Sequence, residues 1–186
     1  TTLFRSIDND SKKDLILVGE WNAPVIFKNT GRRLTTFSSN LTEWSGFWNT
    51  VECVDLNNDG KKDLILGNKG TNTSYKATKE KPMKLFINDY DNNGTIEQIT
   101  TQTIDGKDVP LHLKQELAKQ IPLIKKKNLS YTEYSKKTFQ ELFDTEVINN
   151  SVQKTAKMQE SCIAINKGNG KFEIQVLPKE VQFSSV

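Results

Sequence analysis

Nine residues, DLNNDGKKD at 55 to 63, place oxygen-bearing side chains at loop positions 1, 3, 5 and 9: Asp55, Asn57, Asp59 and Asp63. A hard cation suits this arrangement. Calcium takes roughly six to eight oxygens, and alternate residues of a tight loop can all turn inward while the carbonyl at position 7, here that of Lys61, adds another. Gly60 at position 6 permits the sharp turn that a side chain resists. The alternative is an Asp-Gly hairpin turn with solvated side chains, and recurrence weighs against it. DYDNNGTIE at 89 to 97 offers Asp89, Asp91, Asn93 and Glu97 in the same register, with Gly94 at position 6 and the Thr95 carbonyl at position 7. SIDNDSKKD at 6 to 14 aligns as Ser6, Asp8, Asp10 and Asp14, with Ser11 where the turn glycine stands elsewhere. The expectation is calcium in the Asp55 and Asp89 loops. The Ser6 loop should bind more weakly or keep its shape without metal.

The elements that must hold these loops are short strands. Apolar runs flank each loop: Leu15, Ile16 and Leu17 follow Asp14 as Leu64, Ile65 and Leu66 follow Asp63. Residues 25 to 37 read as strand, Asn-Thr-Gly turn and strand, a hairpin. Residues 161 to 176 repeat it, with Asn166, Gly168, Gly170 and Phe172 parallel to Asn29, Gly31 and Leu34. The fold class is therefore mainly β, in units of four short strands at about 1–46, 47–104 and 156–186. Residues 69 to 81 are polar and read as an exposed loop. Residues 111 to 152 lose the alternation. Their apolar residues recur at helical spacing (Leu113, Leu117, Ile121; Tyr131, Tyr134; Phe139, Leu142, Phe143), Ser130 with Glu133 forms a capping signature, and Pro122 interrupts. About 40 residues with so few apolar side chains cannot enclose a core alone. The segment is read as a helical insertion lying on strands 96–104 and 161–166, with its lysines toward solvent, inside a single domain of 1–186.

Composition removes several function classes. The 186 residues carry 26 basic and 23 acidic side chains, a balance unlike the basic excess of a nucleic-acid binder. Nowhere do 18 apolar residues run together, so no membrane span is expected. One histidine, His112, excludes a His-based triad and a multi-histidine zinc site; it is read as exposed. Cys53 and Cys162 make no disulfide framework, and buried free thiols are expected although spacing leaves a bridge open. Trp21, Trp44 and Trp48 are read as packing rather than as a sugar platform, and Lys125 to Lys127 as solvated surface. The chain starts at Thr1 and is read as a processed or excised piece of a longer protein.

Repeats of about 50 residues with four short strands each are a signature of propeller blades. The unit DxNxDGxxDLxxG at 55 to 67, with the N-x-G-x-G-x-F hairpin at 166 to 172, resembles the FG-GAP or VCBS repeat of integrin alpha-chain propellers and secreted bacterial proteins. The likeness covers residues 1 to 68 and 156 to 186. The middle, from LFINDYDNNGTIEQI onward, is similar to a bacterial subgroup that often carries an ASPIC/UnbV module. The resemblance implies a calcium-braced β-propeller segment, extracellular or periplasmic, with further blades in the parent chain and a protein or glycan ligand on its loops. The reading is noncatalytic. The rival is a fragment of a secreted polysaccharide-processing enzyme, for which Glu20, Glu43 and Glu52 are the uncommitted acids; carboxylates about 5–10 Å apart in a cleft would favour it.

Overall fold

A computed structural model describes residues 1–186, which divide into two compact units: Thr1–Lys79 with Ala156–Val186, and Glu80–Thr155. In chain order the strands are β1 (Thr2–Arg5), β2 (Asp14–Leu17), β3 (Glu20–Asn22), β4 (Val25–Asn29), β5 (Leu34–Phe37), β6 (Gly46–Phe47), β7 (Thr50–Val54), β8 (Asp63–Gly67), β9 (Met83–Asn88), β10 (Glu97–Ile104) and β11 (Lys107–Pro110). Five short helices follow, α1 (Lys114–Gln120), α2 (Leu123–Lys127), α3 (Tyr131–Ser135), α4 (Phe139–Leu142) and α5 (Thr145–Asn149), and then β12 (Val152–Ala156), β13 (Cys162–Gly168) and β14 (Lys171–Val176). The fold is mainly β, with antiparallel four-stranded sheets.

The larger unit holds two such sheets, ordered β1-β2-β4-β5 and β7-β8-β13-β14. Both are meanders whose first turn is an acidic loop. The second corrects the expected division of the chain, because the strands read as parts of separate units at 47–104 and 156–186 share one sheet: Cys162, Ile163 and Ala164 pair with Leu66, Ile65 and Leu64. The whole of Glu80–Thr155 is thus inserted between the second and third strands of that sheet. Alternation explains what the sheets bury. Ile16 and Ile26 on facing strands, and Leu64, Leu66, Cys162 and Ala164 on the other sheet, are 0% exposed and join Trp48 and Val51 in one core. Trp48 donates its indole N–H to the Trp44 carbonyl at 2.9 Å, so these two tryptophans are packing residues as expected. Trp21 stacks edge-on against Phe47 at 4.8 Å from a left-handed backbone, φ 61°, at the bulge between β3 and β6. Gly46 accepts no side chain here: a Cβ would meet the Met158 carbonyl oxygen at 2.6 Å.

Both cysteines are free. Burial pushes the Cys53 thiol up to about 11 and Cys162 up to about 12, so neither carries a thiolate at neutral pH. A disulfide-exchange reagent at pH 7.5 is expected to label Cys162 only after denaturation, with half-buried Cys53 reacting slowly before it; immediate labelling of both would contradict this burial.

The smaller unit is a sheet ordered β11-β10-β9-β12 carrying the five helices. Its core is Phe86, Tyr90 and Ile99 from the sheet with Leu117, Ile121, Ile124, Tyr134, Phe139, Leu142 and Phe143 from the helical segment. The helices therefore find their apolar surface on β9 and β10. Strand 161–166, expected as a second support, contributes Cys162 and Ala164 to the core of the larger unit instead. Local capping sets the short helices. Ser130 accepts the Glu133 N–H at 3.1 Å, and Glu141 accepts the Thr138 N–H at 2.7 Å. His112 is half-buried rather than exposed, its Nε2 accepting the Thr100 N–H at 3.1 Å. It continues the strand pairing of β10 where β11 has ended, and burial, opposed by the nearby Glu116 charge, lowers its pKa.

Candidate metal centre

All three acidic loops adopt one backbone, and residues overlooked in the sequence set it. Position 4 is asparagine each time, and Asn9, Asn58 and Asn92 have φ of 59°, 58° and 57°. Asparagine is among the few side chains that tolerate the left-handed region. Position 6 is left-handed as well, at Gly60 (83°), Gly94 (85°) and Ser11 (67°). Ser11 thus keeps the turn without the glycine. The recurrence of asparagine at position 4 was the signal available in the sequence.

The acid at position 9 clamps rather than cages in the first two loops. Asp14 is fully buried, and its two oxygens accept the N–H of Ile7 at 2.9 Å and of Asn29 at 2.8 Å. Asp63, also fully buried, accepts Leu56 N–H at 2.9 Å and Asn166 N–H at 2.8 Å. The hairpin asparagines complete the joint: Asn29 and Asn166 donate side-chain amides to the Lys13 and Lys62 carbonyls and accept the N–H of Gly31 and Gly168. Each carboxylate is consumed by backbone, and each such charge-assisted bond contributes about 1.5–3 kcal/mol.

The remaining side-chain oxygens of these loops are met by neighbouring lysines or by N–H groups of the loop itself. In the first loop Lys28 pairs with Asp8 and Lys12 with Asp10 at 3.7 Å. Burial raises the Asp8 pKa, but the Lys28 hydrogen bond, the Asp10 N–H and the Lys28 charge outweigh it and hold the carboxyl below its usual range. In the second, Asp55 accepts the N–H groups of Asp59 at 3.2 Å and Gly60 at 2.9 Å, and Asn57 accepts Asp59 N–H at 3.1 Å. Asp59 accepts the Lys61 N–H at 2.8 Å, and the Lys61 ammonium lies 3.3 Å from its other oxygen. That backbone bond is the chief reason its carboxyl is held low. The amide of Asn9 donates to the Gly60 carbonyl, linking the two loops.

The third loop differs at the critical position. Asp89 accepts Asn93 N–H at 3.1 Å and Gly94 N–H at 2.8 Å, Asn93 accepts Thr95 N–H at 2.7 Å, and Glu97 accepts Tyr90 N–H at 2.9 Å through one oxygen. The other Glu97 oxygen, Oε1, is buried without a partner, as is Asp91 Oδ1. One oxygen from each of Asp89, Asp91 and Glu97 lies within 4.8 Å of the others, a convergence that no other group of three such residues reaches. The cause is the sheet: β11 pairs with residues 101–104 only, so no hairpin asparagine reaches Glu97 as Asn166 reaches Asp63. No lysine pairs with these acids either; threonine stands where Lys61 stands in the second loop. Buried carboxylate oxygens left unpaired are costly unless a cation meets them, and an all-oxygen set suits a hard one.

The uncommitted acids do not pair with one another. Glu20 faces Lys69 at 3.8 Å and Glu43 faces Lys79 at 3.5 Å, while Glu52 is exposed on β7.

No helix is long and apolar enough to cross a membrane. No curated protein and no solved structure is matched by the chain. Residues 7–66 match the family model of an FG-GAP-like repeat, a stretch that contains both clamped loops from Ile7 onward and links the two sheets of the larger unit. That match supports an FG-GAP-like repeat in this part of the chain.

Proposed function

We propose that the chain is a noncatalytic binding module, a segment of a β-propeller of the FG-GAP/VCBS kind, stabilised by calcium and working outside the cytoplasm, in the periplasm or at the cell surface. The observation that carries the metal reading is the pair of buried, unpartnered oxygens on Asp91 and Glu97 beside Asp89. Asp89, Asp91, Asn93, Glu97 and the Thr95 carbonyl would hold the ion. Asp55, Asn57, Asp59 and the Lys61 carbonyl form a weaker site, since Asp63 is spent on backbone and Lys61 competes for Asp59. The Ser6 loop is braced by Lys28 and Lys12 instead. Calcium would neutralise the third loop and hold its turn; recognition falls to exposed loops that take a protein or glycan, with further blades supplied by the parent chain.

Thermal unfolding in calcium and in excess chelator tests the reading. One site at about tenfold saturation stabilises by roughly 1.4 kcal/mol, equivalent to about 3–6 °C for a chain of this size. Asp91→Asn is expected to remove most of the difference, leaving only what the weaker Asp55 loop contributes. An identical melt in calcium and chelator would overturn the proposal.

A further inference from the structure

The helical segment carries a cavity that neither the sheets nor the calcium reading uses. It measures about 450 Å3, within the range of small-molecule sites. Its lining is Lys114, Gln115, Ala118, Lys119, Lys125 and Tyr131, contributed by α1, α2 and the start of α3. Helical spacing puts Lys114 and Ala118 one turn apart on the face of α1 that also carries Leu117 of the core, with Gln115 and Lys119 one turn apart on the neighbouring, exposed face.

Lys114 is the decisive residue. It is only 9% exposed, yet no carboxylate pairs with it and its ammonium makes no hydrogen bond; its one polar contact is the Tyr131 ring, 5.3 Å from Nζ to the centroid. Its stem is packed away while its ammonium keeps access to solvent and has no acceptor from the protein, so an anion in the cavity can reach it. Lys119 and Lys125 are exposed and unpaired at the same cavity, and Gln115 has both ends of its amide free. No acid lines the wall. Three ammoniums around one open hollow add their attraction for an anion, while Tyr131, Ala118 and the lysine stems offer apolar surface to whatever carries it.

We propose that this cavity binds a small oxyanion borne on a ring, a monosaccharide-sized molecule carrying a carboxylate or a phosphate. The Lys114 ammonium takes the oxyanion, Lys119 and Lys125 set its charge preference, and the ring lies against Tyr131 and Ala118.

Calorimetric titration of the full chain at about 50 mM salt, where screening is modest, with glucuronate, glucose 6-phosphate and glucose tests it. Saturable binding of at least one charged sugar and none of glucose is expected, and the preferred one identifies the oxyanion. Lys114→Met, which keeps the stem, should weaken binding by at least about tenfold, the value of one charge-assisted bond. Lys125→Gln, on an exposed side chain, should weaken it by a few-fold. Absence of saturation by both charged sugars below about 10 mM, equal binding of glucose, or unchanged affinity in both lysine variants would overturn the proposal.

Discussion

Replacing Asp63 with alanine is expected to cost about 3–5 kcal/mol, because two backbone N–H groups lose their acceptor at once and a buried unsatisfied donor costs about 1–3 kcal/mol. The two donors belong to distant parts of the chain. Leu56 lies in the acidic loop and Asn166 in the hairpin on the far side of the insertion, so the clamp ties β7, β8 and β13 together. Asp63→Asn should cost about half as much, one carbonyl oxygen serving where two charged oxygens did. Asp59→Ala, exposed and bonded only within its own turn, should cost under about 1 kcal/mol. Urea denaturation of the three variants decides the order. A loss below about 1 kcal/mol for Asp63→Ala would mean that the clamp contributes little.

Phe139→Ala should be as damaging, at about 3–5 kcal/mol, but in the other unit. Phe139 is 0% exposed, stacks on Phe86 at 4.1 Å and meets Tyr90 and Phe143 at 5.9 and 5.2 Å. Removing the ring deletes the contact through which α4 holds β9. All three tryptophans lie in the larger unit, whereas Tyr90, Tyr131 and Tyr134 lie in the smaller. In the variant, loss of helical circular dichroism should therefore precede the change in tryptophan fluorescence on a urea titration. Coincident transitions shifted together would show instead that the two units unfold as one.

Local chemistry was legible in the sequence, and distant pairing was not. The register of the acidic loops, the N-x-G hairpins and the Pro122 break all follow from nearest neighbours. That β13 and β14 complete the sheet begun by β7 and β8 does not, since Gly67 and Cys162 are joined only after an inserted unit with a core of its own. The strands around the third loop looked like part of the second repeat because their pattern is the same; what separates them is Phe86 and Ile99 facing helices. The role of position 9 was misjudged for a related reason. Spacing marks Asp63 and Glu97 alike as inward oxygens, yet the number left free depends on whether a hairpin asparagine arrives from elsewhere in the chain. Asn166 arrives at Asp63, and nothing equivalent arrives at Glu97. Lys114 shows the same limit: the lysines of the helical segment read as facing solvent, and tertiary packing buries the stem of this one.

Calcium titration of the chelator-treated protein by calorimetry, beside Asp91→Asn and Asp55→Asn, tests the assignment of the metal centre most directly. The tightest ion should be held at submillimolar to millimolar affinity, as in extracellular modules. It should disappear in Asp91→Asn and persist in Asp55→Asn. No calcium-dependent heat in the parent protein, or a tightest site that survives Asp91→Asn and is lost in Asp55→Asn, would contradict a centre built on Asp89, Asp91 and Glu97.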